Sequence, residues 1–121
     1  MRVRLTKKIE SFGLLPNGWS HGHGVSVRPE SIALARDYIL RAAAFGLDAD
    51  VFPNLDGGCA VAFYQGADRV EININADGTL GEWSAQRGVG VPYEELIELG
   101  TPAKAADIDE HLARLAIQGD R

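Results

Sequence analysis

Residues 59–85 read CAVAFYQGADRVEININADGTLGEWSA, and this stretch decides the fold. Its apolar residues recur with period two, which makes Cys59–Tyr64, Val70–Asn75 and Thr79–Ala85 strands. Gly66-Ala67 and Asp77-Gly78 separate them, and Asp-Gly favours a two-residue hairpin turn. A two-residue turn at Gly66-Ala67 opposes Phe63 to Val70, Val61 to Ile72 and Cys59 to Ile74. A two-residue turn at Asp77-Gly78 opposes Ile72 to Trp83, Val70 to Ala85 and Ile74 to Gly81. Both hairpins then put their apolar residues on one common face, and a one-residue slip would turn Val70, Ile72 and Ile74 the wrong way. The expected core face is Cys59, Val61, Phe63, Val70, Ile72, Ile74 and Trp83. The opposite face carries Ala60, Ala62, Tyr64, Arg69, Glu71, Asn73, Asn75, Leu80, Glu82 and Ser84.

Upstream of the meander, Val51–Pro53 reads as a short edge strand, because Pro53 cannot donate to a ladder. Asp56-Gly57-Gly58 is a turn. Pro29 to Phe45 is the clearest helix. Pro29 suits its first position, Glu30 complements its dipole, and Gly46 supplies a left-handed stop. Ile32, Ala35, Ile39, Ala42 and Ala43 form its apolar stripe, widened by Leu34, Tyr38 and Phe45. Leu5, Ile9 and Phe12 mark a short N-terminal helix ending at Gly13, and the glycine-rich loop 15–24 is expected to be pinned to the core by Trp19. Downstream, Pro92 can start a helix over Tyr93–Leu99, stopped by Gly100. A last helix follows, with Asp107 and Glu110 as a capping box and Ile108, His111, Leu112 and Leu115 as its stripe. The whole chain, 1–121, is thus one α+β domain: a three- to four-stranded antiparallel meander with helices packed on one face.

The 121 residues are 45% hydrophobic and 24% charged, which is ordinary globular composition and argues against long disorder. Net charge is −5, unevenly spread. Residues 1–47 hold 7 basic and 3 acidic side chains, while residues 48–121 hold 5 basic and 14 acidic. That acidic balance argues against direct binding to a phosphate backbone, which needs a basic footprint. No apolar run approaches the roughly 18 residues of a membrane span, and no signal-peptide core follows the early basic residues. A cytoplasmic protein is expected. The single cysteine, Cys59, excludes an internal disulfide and a cysteine-based zinc cluster.

Three constellations have residue types that could carry chemistry. His21 and His23 form an H-x-H pair that could ligate zinc or copper if the loop is extended, with Asp56, Cys59 or His111 as third ligand. Surface histidines without metal are the simpler reading. Cys59 beside an imidazole could be a nucleophile, but the register sends it into the core, where a thiol is inert. Glu71 and Glu82, with Asn73, Asn75 and Tyr64, could form a hydrolase or divalent-ion site on the exposed sheet face. A solvated polar face of a half-buried sheet has the same pattern. The Gly22–Gly24 and Gly88–Gly90 stretches lack the spacing and the lysine of phosphate-binding loops. No catalytic set, metal site or cofactor is therefore assigned.

Several motifs resemble those of a group of small uncharacterised bacterial and phage proteins. The residues that carry the resemblance are Leu15-Pro16-Asn17-Gly18-Trp19, Pro29-Glu30-Ser31-Ile32-Ala33, Asp56-Gly57-Gly58, Glu71-Ile72-Asn73-Ile74 and Asp77-Gly78. They span residues 15–78 and leave the C-terminal third uncovered. The chain departs from the pattern at Ser20, where an Asp often follows the Trp, and at Cys59, where an aliphatic residue usually follows the double glycine. The resemblance implies a phage or mobile-element setting, in which small proteins often act by binding another protein.

Small size, an acidic second half and no compelling catalytic set favour a non-enzymatic protein-binding inhibitor or regulator: an antitoxin, immunity protein or anti-CRISPR-like anti-defence protein. An acidic surface can occupy the basic groove of a nucleic-acid-binding protein. The expected partner-binding residues are Tyr64, Glu71, Asn73, Asn75, Glu82, Glu94, Glu95 and Glu98. The alternatives are a small hydrolase or metal-dependent enzyme using the exposed sheet face, and a structural subunit that homodimerises through that face or its edge.

Overall fold

The computed structural model describes residues 2–86, 88, 97–100 and 105–118. The elements in chain order are α1 (Arg2–Ser11), a 3-10 turn at Phe12–Leu14, α2 (Pro29–Phe45), β1 (Asp48–Pro53), β2 (Cys59–Gln65), β3 (Asp68–Ile74), β4 (Leu80–Gln86), β5 (Ile97–Gly100) and α3 (Ala105–Gln118). The strands form one antiparallel meander in sequence order, β1 to β5. The expected α+β architecture is what the chain adopts, with a fifth strand added at the β4 edge. The helix expected over Tyr93–Leu99 is corrected there. Residues 97–100 pair with Trp83–Gln86, which satisfies the outer backbone groups of β4; residues 93–96 lie outside the described residues.

The core lies between the sheet and the helices. Leu5, Ile9 and Phe12 from the N-terminal segment, Ile32, Ala35, Tyr38, Ile39 and Ala42 from α2, and Ile108, Leu112 and Leu115 from α3 meet Ala49, Val51, Cys59, Val61, Phe63, Val70, Ile72 and Ile74 of the sheet. On α2, Ala43 is exposed and Tyr38 is buried instead, its ring edge-on to Phe63 at 6.3 Å. α3 begins two residues before Asp107, so the expected capping box does not form, and Glu110 pairs with Arg114. His111 of α3 stacks on Trp83 with ring centroids 4.2 Å apart.

The β2–β3 register is the expected one, from Cys59↔Ile74 to Gln65↔Asp68. The β3–β4 hairpin differs near its turn. Asn75 and Thr79 close a three-residue loop, with the Asn75 N–H donating to the Thr79 carbonyl and Gly78 at φ +83. This opposes Ile74 to Leu80 rather than to Gly81. A bulge follows, in which Gly81-Glu82 of β4 stand opposite Asn73 alone, and Ile72↔Trp83, Glu71↔Ser84 and Val70↔Ala85 regain the expected register. The longer loop thus shifts the register by one residue and the bulge undoes the shift. Leu80 is consequently corrected from the outer face to the core side, where it packs against the core.

Candidate functional site

Among the described residues the helices cover one face of the sheet and leave the other open. Along the open rows, Phe52 opposes Ala60, which opposes Asn73; Asp50 opposes Ala62, which opposes Glu71. Ala60 and Ala62, expected to be exposed, are buried.

Tyr64 and Glu71 lie toward one end of this face and share one partner. The Arg69 guanidinium pairs with Glu71 and lies 5.5 Å from the centre of the Tyr64 ring. The charge of Glu71 is therefore largely answered within the surface. At the β1 edge, Lys8 reaches from α1 to Asp50 at 2.7 Å and passes over the Phe52 ring. Burial opposes ionisation of Asp50, but the hydrogen bond from Lys8, the Val51 N–H and the nearby cations outweigh it, and its carboxyl is held below the usual carboxylate range.

The opposite end of the sheet, by the β1–β2 and β3–β4 turns, holds a cleft of about 400 Å³ that runs from Asn73 and Glu82 of the open face round to the core-side Ile74 and Leu80, with Asn54, Asp56, Asn75 and Gly81 also lining it. The bulge makes it. Gly81 has no side chain to fill the space, and a Cβ there would stand 3.0 Å from Asn75 Oδ1 and 3.3 Å from the Asn73 carbonyl oxygen. The opposite wall comes from the β1–β2 turn, folded tightly because the Gly58 N–H donates to Asp56 Oδ1 at 2.9 Å. Asn54 Nδ2 donates to Asn73 Oδ1 at 3.2 Å and joins the two walls. Asn73, Asn75 and Glu82 are thus brought together as expected candidates. Asn54, Asp56 and Gly81 complete the cleft; the sequence pattern had offered Asp56 only as a turn residue and a third ligand for the histidine pair, and did not single out Asn54 or Gly81 as site residues. Glu94 and Glu95 lie outside the described residues, and Glu98 is paired with Ala85 in β5.

Beside the cleft, the 15–28 loop docks on the same turn, with the Val25 N–H donating to the Leu55 carbonyl and the Arg28 N–H to that of Gly57. Trp19 is half-buried and packs on Gly24, donating from Nε1 to the Val25 carbonyl at 2.7 Å. It closes the loop on itself instead of entering the core. Val25 and Leu55 remain 42% and 53% exposed and form an apolar rim next to Asp56.

The other constellations are dispersed. His21 is in a left-handed turn at φ +51, so His21 and His23 do not share an extended strand face. Of their proposed third ligands, Cys59 is buried and His111 lies on Trp83. Among the described residues no group of three or more His, Cys, Asp or Glu side chains is placed to hold a metal ion. Burial pushes the Cys59 thiol up, against a smaller opposing effect of the Ser31 hydroxyl 3.2 Å away. No helix among the described residues is long and apolar enough to cross a membrane. Comparison with protein-family models, curated proteins and solved structures returned no match.

Proposed function

We propose that this protein is a non-enzymatic regulator that docks a basic protein on the open face of its sheet, in the manner of an inhibitor that occupies a nucleic-acid-binding groove. The observation that carries this reading is the polarity of the open face. Asp48, Asp56, Glu71 and Glu82 lie on or beside it; among the described residues Arg69 is committed to Glu71 and Lys8 to Asp50, while Arg28 stands beside Gly57 at its rim. A partner that brings its own cations meets a complementary potential and a small apolar rim, Val25 and Leu55, against which to bury area. The resemblance of several motifs to those of small bacterial and phage proteins is in keeping with such a role. Glu71 is tied to Arg69 and Glu82 lines the cleft, so the two carboxylates weighed for hydrolysis have separate surroundings.

The test is a comparison of immobilised baits in extract of the source cell, at about 150 mM salt, where exposed charges still interact at close range. Wild type is set against a face pair, Glu71→Lys with Glu82→Lys, and a helix pair, Asp107→Lys with Glu110→Lys. A protein with a basic surface that is retained by wild type and the helix pair, and depleted at least tenfold by the face pair, is the expected result. Equal retention by all three baits, or no specific retention by wild type, overturns the proposal.

A further inference from the structure

The cleft at the β4 bulge has a hydrogen-bonding character that identifies what would fill it. Two of its amide nitrogens are engaged inside its own walls: Asn54 Nδ2 on Asn73 Oδ1, and Asn75 Nδ2 on the Thr79 hydroxyl at 3.0 Å. Those bonds orient the Asn54 and Asn75 side chains and leave their carbonyl oxygens as acceptors. Asp56 uses Oδ1 on the Gly58 N–H and keeps Oδ2. Glu82 is exposed and has no hydrogen-bond or ion-pair partner among the described residues. Among the described residues no Lys, Arg or His lines the cleft. The lining therefore carries two anionic groups and several free oxygen acceptors, with Asn73 Nδ2 as a side-chain donor among them, and Leu80 adds an apolar wall beside them.

We propose that this cleft receives a single arginine side chain of the partner, with the guanidinium between Asp56 and Glu82 and its methylene stem along Leu80. The inference rests on the open face being the docking surface. Guanidinium is the side-chain group that matches the lining best: it is planar, carries five N–H donors and no acceptor, and never loses its charge. An ammonium group offers only three donors from one point and cannot span two acceptor walls at once. The bulge keeps the cleft open without a ligand, because its shape follows from the register shift between the Asn75–Thr79 loop and Trp83 and not from a movable side chain. The site is thus preformed, which lowers the ordering cost of filling it.

The test uses two capped tripeptides, acetyl-Gly-Arg-Gly-amide and acetyl-Gly-Lys-Gly-amide, titrated into 15N-labelled protein and followed by backbone and side-chain amide resonances. The arginine peptide is expected to shift Gly81, Glu82 and the Asn73 side-chain amide saturably, and the lysine peptide to bind several-fold more weakly. Glu82→Gln should weaken the arginine peptide about tenfold, the usual scale for a hydrogen bond to a charged group. Asp107→Asn, on α3 in the helix layer, should leave its affinity unchanged. Shifts that do not saturate, that spread evenly over the acidic residues, or that survive Glu82→Gln undiminished overturn the proposal. If the peptide misses the cleft while the face pair still abolishes partner capture, the arginine assignment falls and the docking surface stands. If capture is indifferent to the face pair, the docking surface itself falls.

Discussion

Ser31 is the one buried polar side chain among the described residues, and its hydroxyl sits 3.2 Å from Cys59 Sγ. Its other contact, to the Ile74 carbonyl, is long at 3.5 Å. Replacing Cys59 by Val exchanges the thiol for a somewhat larger apolar side chain and leaves the hydroxyl poorly partnered in the core. Cys59→Val should therefore cost about 1–3 kcal/mol in urea unfolding, and adding Ser31→Ala should recover part of that loss, because removing both polar partners is milder than orphaning one. In the native state the Cys59 thiol should react with a thiol reagent no faster than the protein unfolds. Asp50 gives the pH counterpart. Its folded carboxyl titrates below the unfolded value of about 3.9, so the stabilisation is present above that pH and fades as pH falls through the folded value. The pair is partly solvated, so Asp50→Asn should cost only about 0.5–1 kcal/mol at pH 7. The difference from wild type should close below about pH 4 in the same unfolding assay.

At the scale of elements, the central hairpin register was legible because it was over-determined: apolar alternation in Cys59–Phe63 and Val70–Ile74 agreed with the turn residues between them. What was not legible followed from weaker signals. Asp77-Gly78 suits both a two- and a three-residue loop, and the choice was made by Asn75 and Thr79, whose backbone and side chains both bond across it. The bulge at Gly81 carries no sequence mark beyond a glycine in a strand. Ile97–Leu99 was read as the end of a helix because Pro92 can start one and Gly100 can stop it, while the pairing of this segment with β4 depends on an edge that only the assembled sheet presents. The cleft was half legible: Asn73, Asn75 and Glu82 came from one hairpin, but Asn54 and Asp56 join them across a distance in sequence that periodicity does not report. Glycine substitutions probe these elements. A Cβ at Gly58 would stand 2.3 Å from the Ile74 carbonyl oxygen, a backbone atom that cannot give without separating β2 from β3. Gly58→Ala should destabilise by about 3 kcal/mol or more, at or beyond the upper end for overpacking. Gly66, at φ +60 with open space around it, should accept Asn within about 0.5 kcal/mol. Thermal unfolding of the two variants tests the contrast.

At the scale of the molecule, the uneven charge of the sequence does not become one acidic side. Asp107, Asp109 and Glu110 belong to α3 on the helix layer, whereas Asp56, Glu71 and Glu82 belong to the open sheet face and its rim. The basic first third is also drawn into the structure, since Lys8 pairs with Asp50 and Arg41 with Asp109. Only the charge on the open face can then act at short range on a docked partner. Charges at the rim of an interface govern the encounter more than the lifetime of the complex. With the captured partner in hand, Asp56→Asn should lower the association rate several-fold at low salt and flatten its dependence on ionic strength. Asp107→Asn, screened by the thickness of the protein and a Debye length of about 8 Å at physiological salt, should leave the rate within experimental error. Stopped-flow mixing across a salt series measures both. Equal slowing by the two variants would mean that the partner senses net charge rather than the open face, and it would move the interface away from the sheet.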